Sequence, residues 1–181
     1  MKPVVMVVGR LNPITDGHRV LVELAEKEAL KIGGQVMVFI VDGAQSGKDK
    51  AKNPLSGDSR LSYFKTLFPG VHVDLASGAW EALEIIDVQG LKPALWIAGS
   101  DRSSKYQGIL DFYGLGGKVL AVDREAGEAD GVSATAARKA ALEGNWKVFK
   151  TQMPKGASDV LLVDLMNEIR KETHNAHDEL E

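Results

Sequence analysis

The chain of 181 residues contains no cysteine. That excludes a disulfide scaffold and thiolate metal sites, and it fits a reducing compartment. No apolar run approaches the length of about 20 residues that a membrane span needs. The first residues enter a strand pattern almost at once, without the layout of a secretory signal, so a cytoplasmic location is expected. A large excess of positive charge is lacking too. The formal net charge is −3, from 22 Lys and Arg against 25 Asp and Glu, so no extended nucleic-acid partner is expected. The 4 histidines show no metal-ligand spacing. His174 and His177 fall in a stretch that reads as a frayed tail without a supporting carboxylate, and His72 sits incidentally at a strand. The familiar phosphate loops are missing as well. No Gly-Lys-Ser/Thr follows a glycine at Walker spacing, and the spaced glycines of a dinucleotide fingerprint are absent. There is no internal repeat and no low-complexity segment.

What is present is an ordinary globular composition, 44% hydrophobic with a mean hydropathy of −0.11. The length suits a single domain over residues 1–181, with a C-terminal helical segment from about residue 145. Apolar runs at 4–8, 35–41, 71–75, 94–98 and 118–122 read as buried strands. Helical patterns lie between and after them, at 17–32, 58–68, 79–88, 103–113, 133–144 and 159–173, with a further turn or two at 146–152. Gly33-Gly34 ends the first helix, and Ser77 lies where a cap for the third is expected. Trp80, Trp96 and Trp146 read as core or interface residues. Strands alternating with helices imply βαβ units and a parallel sheet.

The most informative stretch is Gly9-Arg-Leu-Asn-Pro-Ile-Thr-Asp-Gly-His18. It lies between the first strand and the first helix. Glycine permits close approach of a ligand to the backbone, and a helix N-terminus presents unpaired N–H groups to an anion. Thr15 adds a hydroxyl, and Arg10 and His18 add positive charge. A second constellation is Val132-Ser-Ala-Thr-Ala-Ala-Arg138. Ser133 or Thr135 caps a helix there, and Arg138 lies three residues beyond Thr135 on the same face. A third stretch, residues 42–58, is long, polar and without periodicity, and such loops are commonly functional. It carries Lys48, Lys50 and Lys52, flexible cations able to fold over phosphates. The fourth strand runs straight into Gly99-Ser-Asp-Arg102.

These motifs resemble the HxGH nucleotidyltransferase superfamily, with Thr15 in the first position of its first signature and Ser133, Thr135 and Arg138 in its second, Ser-x-Thr-x-x-Arg. Gly9-Arg10 before the proline is similar to the nicotinamide-mononucleotide adenylyltransferases. Ala44-Gln-Ser46 and Asn53-Pro54 are similar to the archaeal-type loop of that branch, although Asp58-Ser-Arg60 departs from its Gly-Glu-Arg by an inserted residue. The resemblance implies a Rossmann-like, doubly wound α/β sheet of about five parallel strands in the order 3-2-1-4-5, with helices on both faces. It implies transfer of a nucleotidyl group, most simply adenylyl from ATP, to a small phosphorylated acceptor, with pyrophosphate released. His18, Thr15 and Arg138 are the catalytic residues it implies. Gly9, Arg10, Asn12, Gly17, Gly99, Asp101, Ser133 and Thr135 would bind nucleotide. Asp101 stands open between that role and capping the next helix. Lys48, Lys50, Lys52 and Arg60 would form a substrate or phosphate loop. Mg²⁺ would arrive bound through the triphosphate, with no dedicated protein ligand. A phosphopantetheine adenylyltransferase, a cytidylyltransferase and a non-catalytic nucleotide-binding module are the alternatives. The segment beyond Lys150 is unclaimed by either signature and is open to packing on the sheet or to a homo-oligomer contact.

Overall fold

The computed structural model describes residues 2–44, 48–123 and 131–178. β-branched and apolar runs form the strands β1 (Pro3–Gly9), β2 (Gln35–Val41), β3 (His72–Ala76), β4 (Lys92–Gly99) and β5 (Lys118–Val122). They pair in parallel as one sheet in the order β3-β2-β1-β4-β5. This is the expected Rossmann-like order, and it leaves β1 and β4 side by side at the point where strand order reverses. The helices are α1 (Asp16–Ile32), α2 (Gly57–Leu67), α3 (Ala79–Val88), α4 (Ser100–Phe112), α5 (Ala134–Glu143), α6 (Trp146–Gln152) and α7 (Asp159–Asp178).

Successive strand side chains point to opposite faces, and the core divides accordingly. Val5, Val7, Val38, Ile40 and Ile97 pack with Leu21, Val22 and Ala25 of α1 and Phe64 of α2. Val4, Met6, Met37, Phe39 and Trp96 pack on the other face, with Ala82 and Ile86 of α3 and Tyr106 and Leu110 of α4. Pro93 has no N–H to give the ladder. The register slips beside it, from Val4–Pro93 to Val5–Leu95, so that Ala94 is the extra residue of a bulge. A third cluster joins Ala137, Ala140 and Ala141 of α5 to Phe149 of α6, to Leu162, Leu165 and Ile169 of α7, and to Leu55 from the loop before α2. The segment beyond Lys150 is therefore packed onto α5. Tyr63 on α2 reaches it too, donating to Glu168 of α7 at 2.7 Å. Burial, then the neighbouring Glu168 carboxylate, pushes the Tyr63 phenol well above its ordinary range.

The structure departs from the sequence reading in several places. α4 begins at Ser100, straight from β4, with Gly99 as its N-cap, so Asp101 lies inside the first turn and does not cap it. Gly78, not Ser77, caps α3, and the Ser77 hydroxyl bonds Glu81 instead. α7 runs on to Asp178 and takes in both His174 and His177. Trp96 is fully buried, but Trp80 is half-exposed and packs against Tyr113 with the ring planes tilted 43°. His72 opens β3 and pairs with Asp74 at 2.8 Å. Gln45, Ser46 and most of the acidic loop after β5 lie outside the described residues.

Candidate active site

The carboxyl ends of β1, β2 and β4 open into a cavity of about 580 Å³. Gly9, Val41 and Gly99, the last residues of those strands, all line it. That is where an open α/β sheet places its ligands.

After Gly9 the chain turns sharply. Leu11 takes φ 49°, and the Asn12–Pro13 peptide is cis. Leu11 and Ile14 are buried and anchor the turn to the core. The Asn12 amide is fastened to the next loop by two bonds, its Nδ2 donating to the Leu55 carbonyl at 3.1 Å and its Oδ1 accepting the Leu55 N–H at 3.0 Å. Asn12 lines the cavity, but its side chain is engaged in joining two loops.

Thr15 then caps α1 in an extended conformation. Its N–H donates to Nδ1 of His18 at 3.0 Å, and its hydroxyl lies 3.2 Å from the same nitrogen. A backbone N–H can only donate, so Nδ1 is an acceptor and the neutral ring carries its proton on Nε2. His18 lines the cavity; Thr15 is buried behind it and does not. Gly17 is not among the lining residues either, and Gly9 is.

From α5, Thr135 and Arg138 reach the cavity. Ser133 is the N-cap, accepting the Ala136 N–H at 3.0 Å, and it does not line the cavity. Arg138 donates to the Asn12 carbonyl at 2.9 Å and to the Thr135 hydroxyl at 3.3 Å, which brings the two sequence signatures into direct contact. Burial lowers the pKa of Arg138, and the nearby Arg10 charge lowers it further, against an opposing effect of Asp49.

The remaining candidates separate. Lys52 lines the cavity, whereas Lys48 and Lys50 do not. Asp49 organises their loop by accepting the N–H groups of Ala51 and Lys52. Arg60 is buried away from the cavity. It donates to the carbonyls of Arg10 and Val41 at 2.7 Å each, to that of Ser56 at 3.2 Å, and to Asp42 at 2.9 Å. Four of its five N–H donors are used in this way, and they clamp the ends of β1 and β2 to the start of α2. Asp101 is exposed and outside the lining. The sequence reading named Arg102 in the stretch after the fourth strand without a role and passed over Lys105, yet both line the cavity beside Tyr106. Their spacing of three residues on a helix was the available signal, and it is a weak one.

Among the described residues, the charged side chains lining the cavity are therefore Arg10, Lys52, Arg102, Lys105 and Arg138, with no carboxylate. No group of three or more His, Asp or Glu among the described residues is placed to hold a metal ion. No helix among them is long and apolar enough to cross a membrane.

No protein-family model matches the chain, and no curated protein matches it. Solved structures do. A Plasmodium falciparum nicotinic acid mononucleotide adenylyltransferase complexed with NaAD superposes with a TM-score of 0.68 at 11% identity, covering 96% of this chain and 98% of that one. Thermotoga maritima TmcAL bound with alpha-thio ATP gives 0.59 at 15% identity, over 97% of this chain and 56% of that one. A macrolide-efflux protein from Streptococcus pneumoniae gives 0.57 at 20% identity, over 83% of this chain and 55% of that one. At such identities the likeness is one of fold.

Proposed function

We propose that the protein is a nucleotidyltransferase that moves an adenylyl group from ATP to a small phosphorylated acceptor and releases pyrophosphate. One observation carries the reading. A cavity at the switch point of the sheet gathers a histidine, a threonine hydroxyl and five cations without a carboxylate among the described residues, in a chain of net charge −3. A pocket of that kind suits a polyanion. Gly9, which lines the cavity, is not required by its neighbours, since a Cβ there would meet only an ordinary contact at 3.8 Å. Close approach of a ligand to that backbone is a reason for glycine that the fold does not supply.

In the proposed reaction a phosphate oxygen of the acceptor attacks the α-phosphorus. The new P–O bond forms as the bond to the β-phosphate breaks, and pyrophosphate leaves with the electron pair. An anionic phosphate oxygen needs no general base. His18 donates its Nε2–H to the α-phosphoryl group as charge develops there, a preorganised donor of the oxyanion-hole kind. Thr15 acts behind it, fixing the ring. Arg138, Arg10, Lys52 and Thr135 hold the β- and γ-phosphates. With no carboxylate among the described lining residues, Mg²⁺ enters as a partner of the triphosphate, and no step is assigned to it.

The acceptor closest to the motifs is nicotinamide or nicotinic acid mononucleotide. The Gly9-Arg10 signature and the mononucleotide adenylyltransferase among the structural neighbours both support that choice. A pyrophosphate-release screen tests the proposal, pairing ATP and CTP with nicotinamide mononucleotide, nicotinic acid mononucleotide, phosphopantetheine and glycerol phosphate. Release with ATP and a mononucleotide is expected. Binding of ATP without release for any acceptor would instead favour a non-catalytic nucleotide module.

A further inference from the structure

The five lining cations come from two sides of the sheet. Arg10 follows β1 and lies close to Arg138, whose helix α5 packs with Leu55 of the loop that also carries Lys52. Arg102 and Lys105 belong to α4, whose Tyr106 and Leu110 pack on the opposite sheet face with α3. Gly78 and Ala79, at the start of α3, line the cavity from that same side. His18 lies in the first turn of α1, which follows β1, the strand next to β4.

Displacement at phosphorus places the entering and leaving oxygens roughly in line, on opposite sides of the reacting atom. If pyrophosphate departs toward Arg10 and Arg138, the entering group comes from the α4 side. Arg102 and Lys105 stand three residues apart on one helical face, exposed, with no ion pair or side-chain hydrogen bond to another described residue. An anion drawn toward an already polyanionic triphosphate meets repulsion, and cations on its own side relieve it. Tyr106 lies stacked on the buried Trp96, with ring centroids 4.1 Å apart and planes 11° apart, which fixes the helix that carries both cations.

We propose that Arg102 and Lys105 form the acceptor-phosphate subsite, and that the acceptor presents a phosphomonoester dianion there. The assignment rests on the nucleotidyltransferase reading for its direction of attack. Guanidinium and ammonium together take up the non-attacking oxygens and leave the third oxygen directed at the α-phosphorus. An acceptor with an uncharged hydroxyl in place of the phosphate makes neither contact.

Calorimetric titration of ribose 5-phosphate, with ribose as its uncharged twin, tests the subsite without turnover. The protein is first saturated with α,β-methylene-ATP. The wild type is expected to bind ribose 5-phosphate and not ribose. Since charge-assisted hydrogen bonds are lost, R102Q/K105Q is expected to weaken that binding about tenfold or more while changing α,β-methylene-ATP affinity less than about twofold. R138Q is expected to show the reverse. Both exposed side chains can be replaced by glutamine without touching the core, and circular dichroism checks the fold. The proposal is overturned if the wild type fails to bind ribose 5-phosphate, if the double variant binds it as well as the wild type, or if the double variant loses the nucleotide analogue to the same degree. Failure of the pyrophosphate screen with these binding results intact would overturn the enzymatic reading and leave a phosphomonoester site.

Discussion

At His18 one ring nitrogen serves the fold, while the proposed chemistry belongs to the other. Nδ1 closes the first turn of α1 by accepting the Thr15 N–H, so removal of the ring affects both. His18→Ala is expected to lose about 10²–10³ in kcat through the missing donor, and also about 0.5–2 kcal/mol through the missing cap. His18→Gln places an amide at the position where capping boxes commonly carry one, and so keeps an acceptor for the Thr15 N–H. Its unfolding midpoint in urea should therefore lie nearer the wild type than that of His18→Ala, with turnover as poor. Wild-type turnover in either variant would refute the catalytic role. Asp16 beside it is a different case. Burial raises its pKa, but the hydrogen bond from Arg19, the Lys155 N–H and the charges of both residues outweigh that, and the net shift is downward. A carboxylate with a depressed folded pKa stabilises above its unfolded pKa, and that stability is lost as pH falls through the folded value. Asp16→Asn is thus expected to cost about 1–3 kcal/mol at pH 7. The gap to wild type should close as pH drops below the ordinary carboxylate range. A gap of constant size from pH 7 to pH 3 would show that the Asp16 charge is immaterial.

At the scale of elements, Arg60 shows how a loop becomes a wall of the site. Its guanidinium bonds two strand-end carbonyls and Asp42. Arg60→Met should leave the carbonyls of Arg10 and Val41 unpaired and cost about 2–4 kcal/mol. Urea unfolding with an unchanged m-value measures it. Lys48→Ala and Lys50→Ala should leave both stability and nucleotide affinity near wild type, since neither side chain reaches the cavity. Sequence could not separate Arg60 from these lysines. A basic residue in a polar loop has the same signature whether it faces a phosphate or the chain's own carbonyls. The helix ends were legible where a residue type fixes the backbone, as with Gly33 at φ 64° and Gly144 at φ 69°. α4 was misplaced at its start because Gly-Ser-Asp-Arg is the composition of a loop, while tertiary packing of Tyr106 and Leu110 carries the helix back to Ser100. With that start hidden, Arg102 was named only as the end of Gly99-Ser-Asp-Arg102, and Lys105 drew no role.

For the whole molecule, the gathered cations are a cost that an anion removes. The Arg10 charge already lowers the pKa of Arg138 in the free protein, behind the larger effect of burial. Inorganic tripolyphosphate should raise the melting temperature by mass action, and chloride at equal ionic strength should not match it. Arg10→Gln should give the opposite pair of results, a free protein at least as stable as wild type and a smaller rise with tripolyphosphate. Equal rises in the two proteins would remove Arg10 from the anion site. The sheet order followed only from the resemblance of the two signatures to a known superfamily, whereas the five strands and both signatures could be read from sequence because β-branched runs and spaced polar residues mark them. The bracing of the site by the C-terminal segment could not. It runs through Gln152, which accepts the Ser133 N–H at 2.9 Å, and through the Lys155 N–H, which donates to Asp16 at 3.0 Å, and a backbone donor leaves no trace in residue type. Those two bonds have a consequence for the order of synthesis. Asp16 and Lys155 stand 139 residues apart, so a nascent chain can form all five strands on the ribosome while both signature segments still lack their last ties. The first motif to be translated is among the last to be finished.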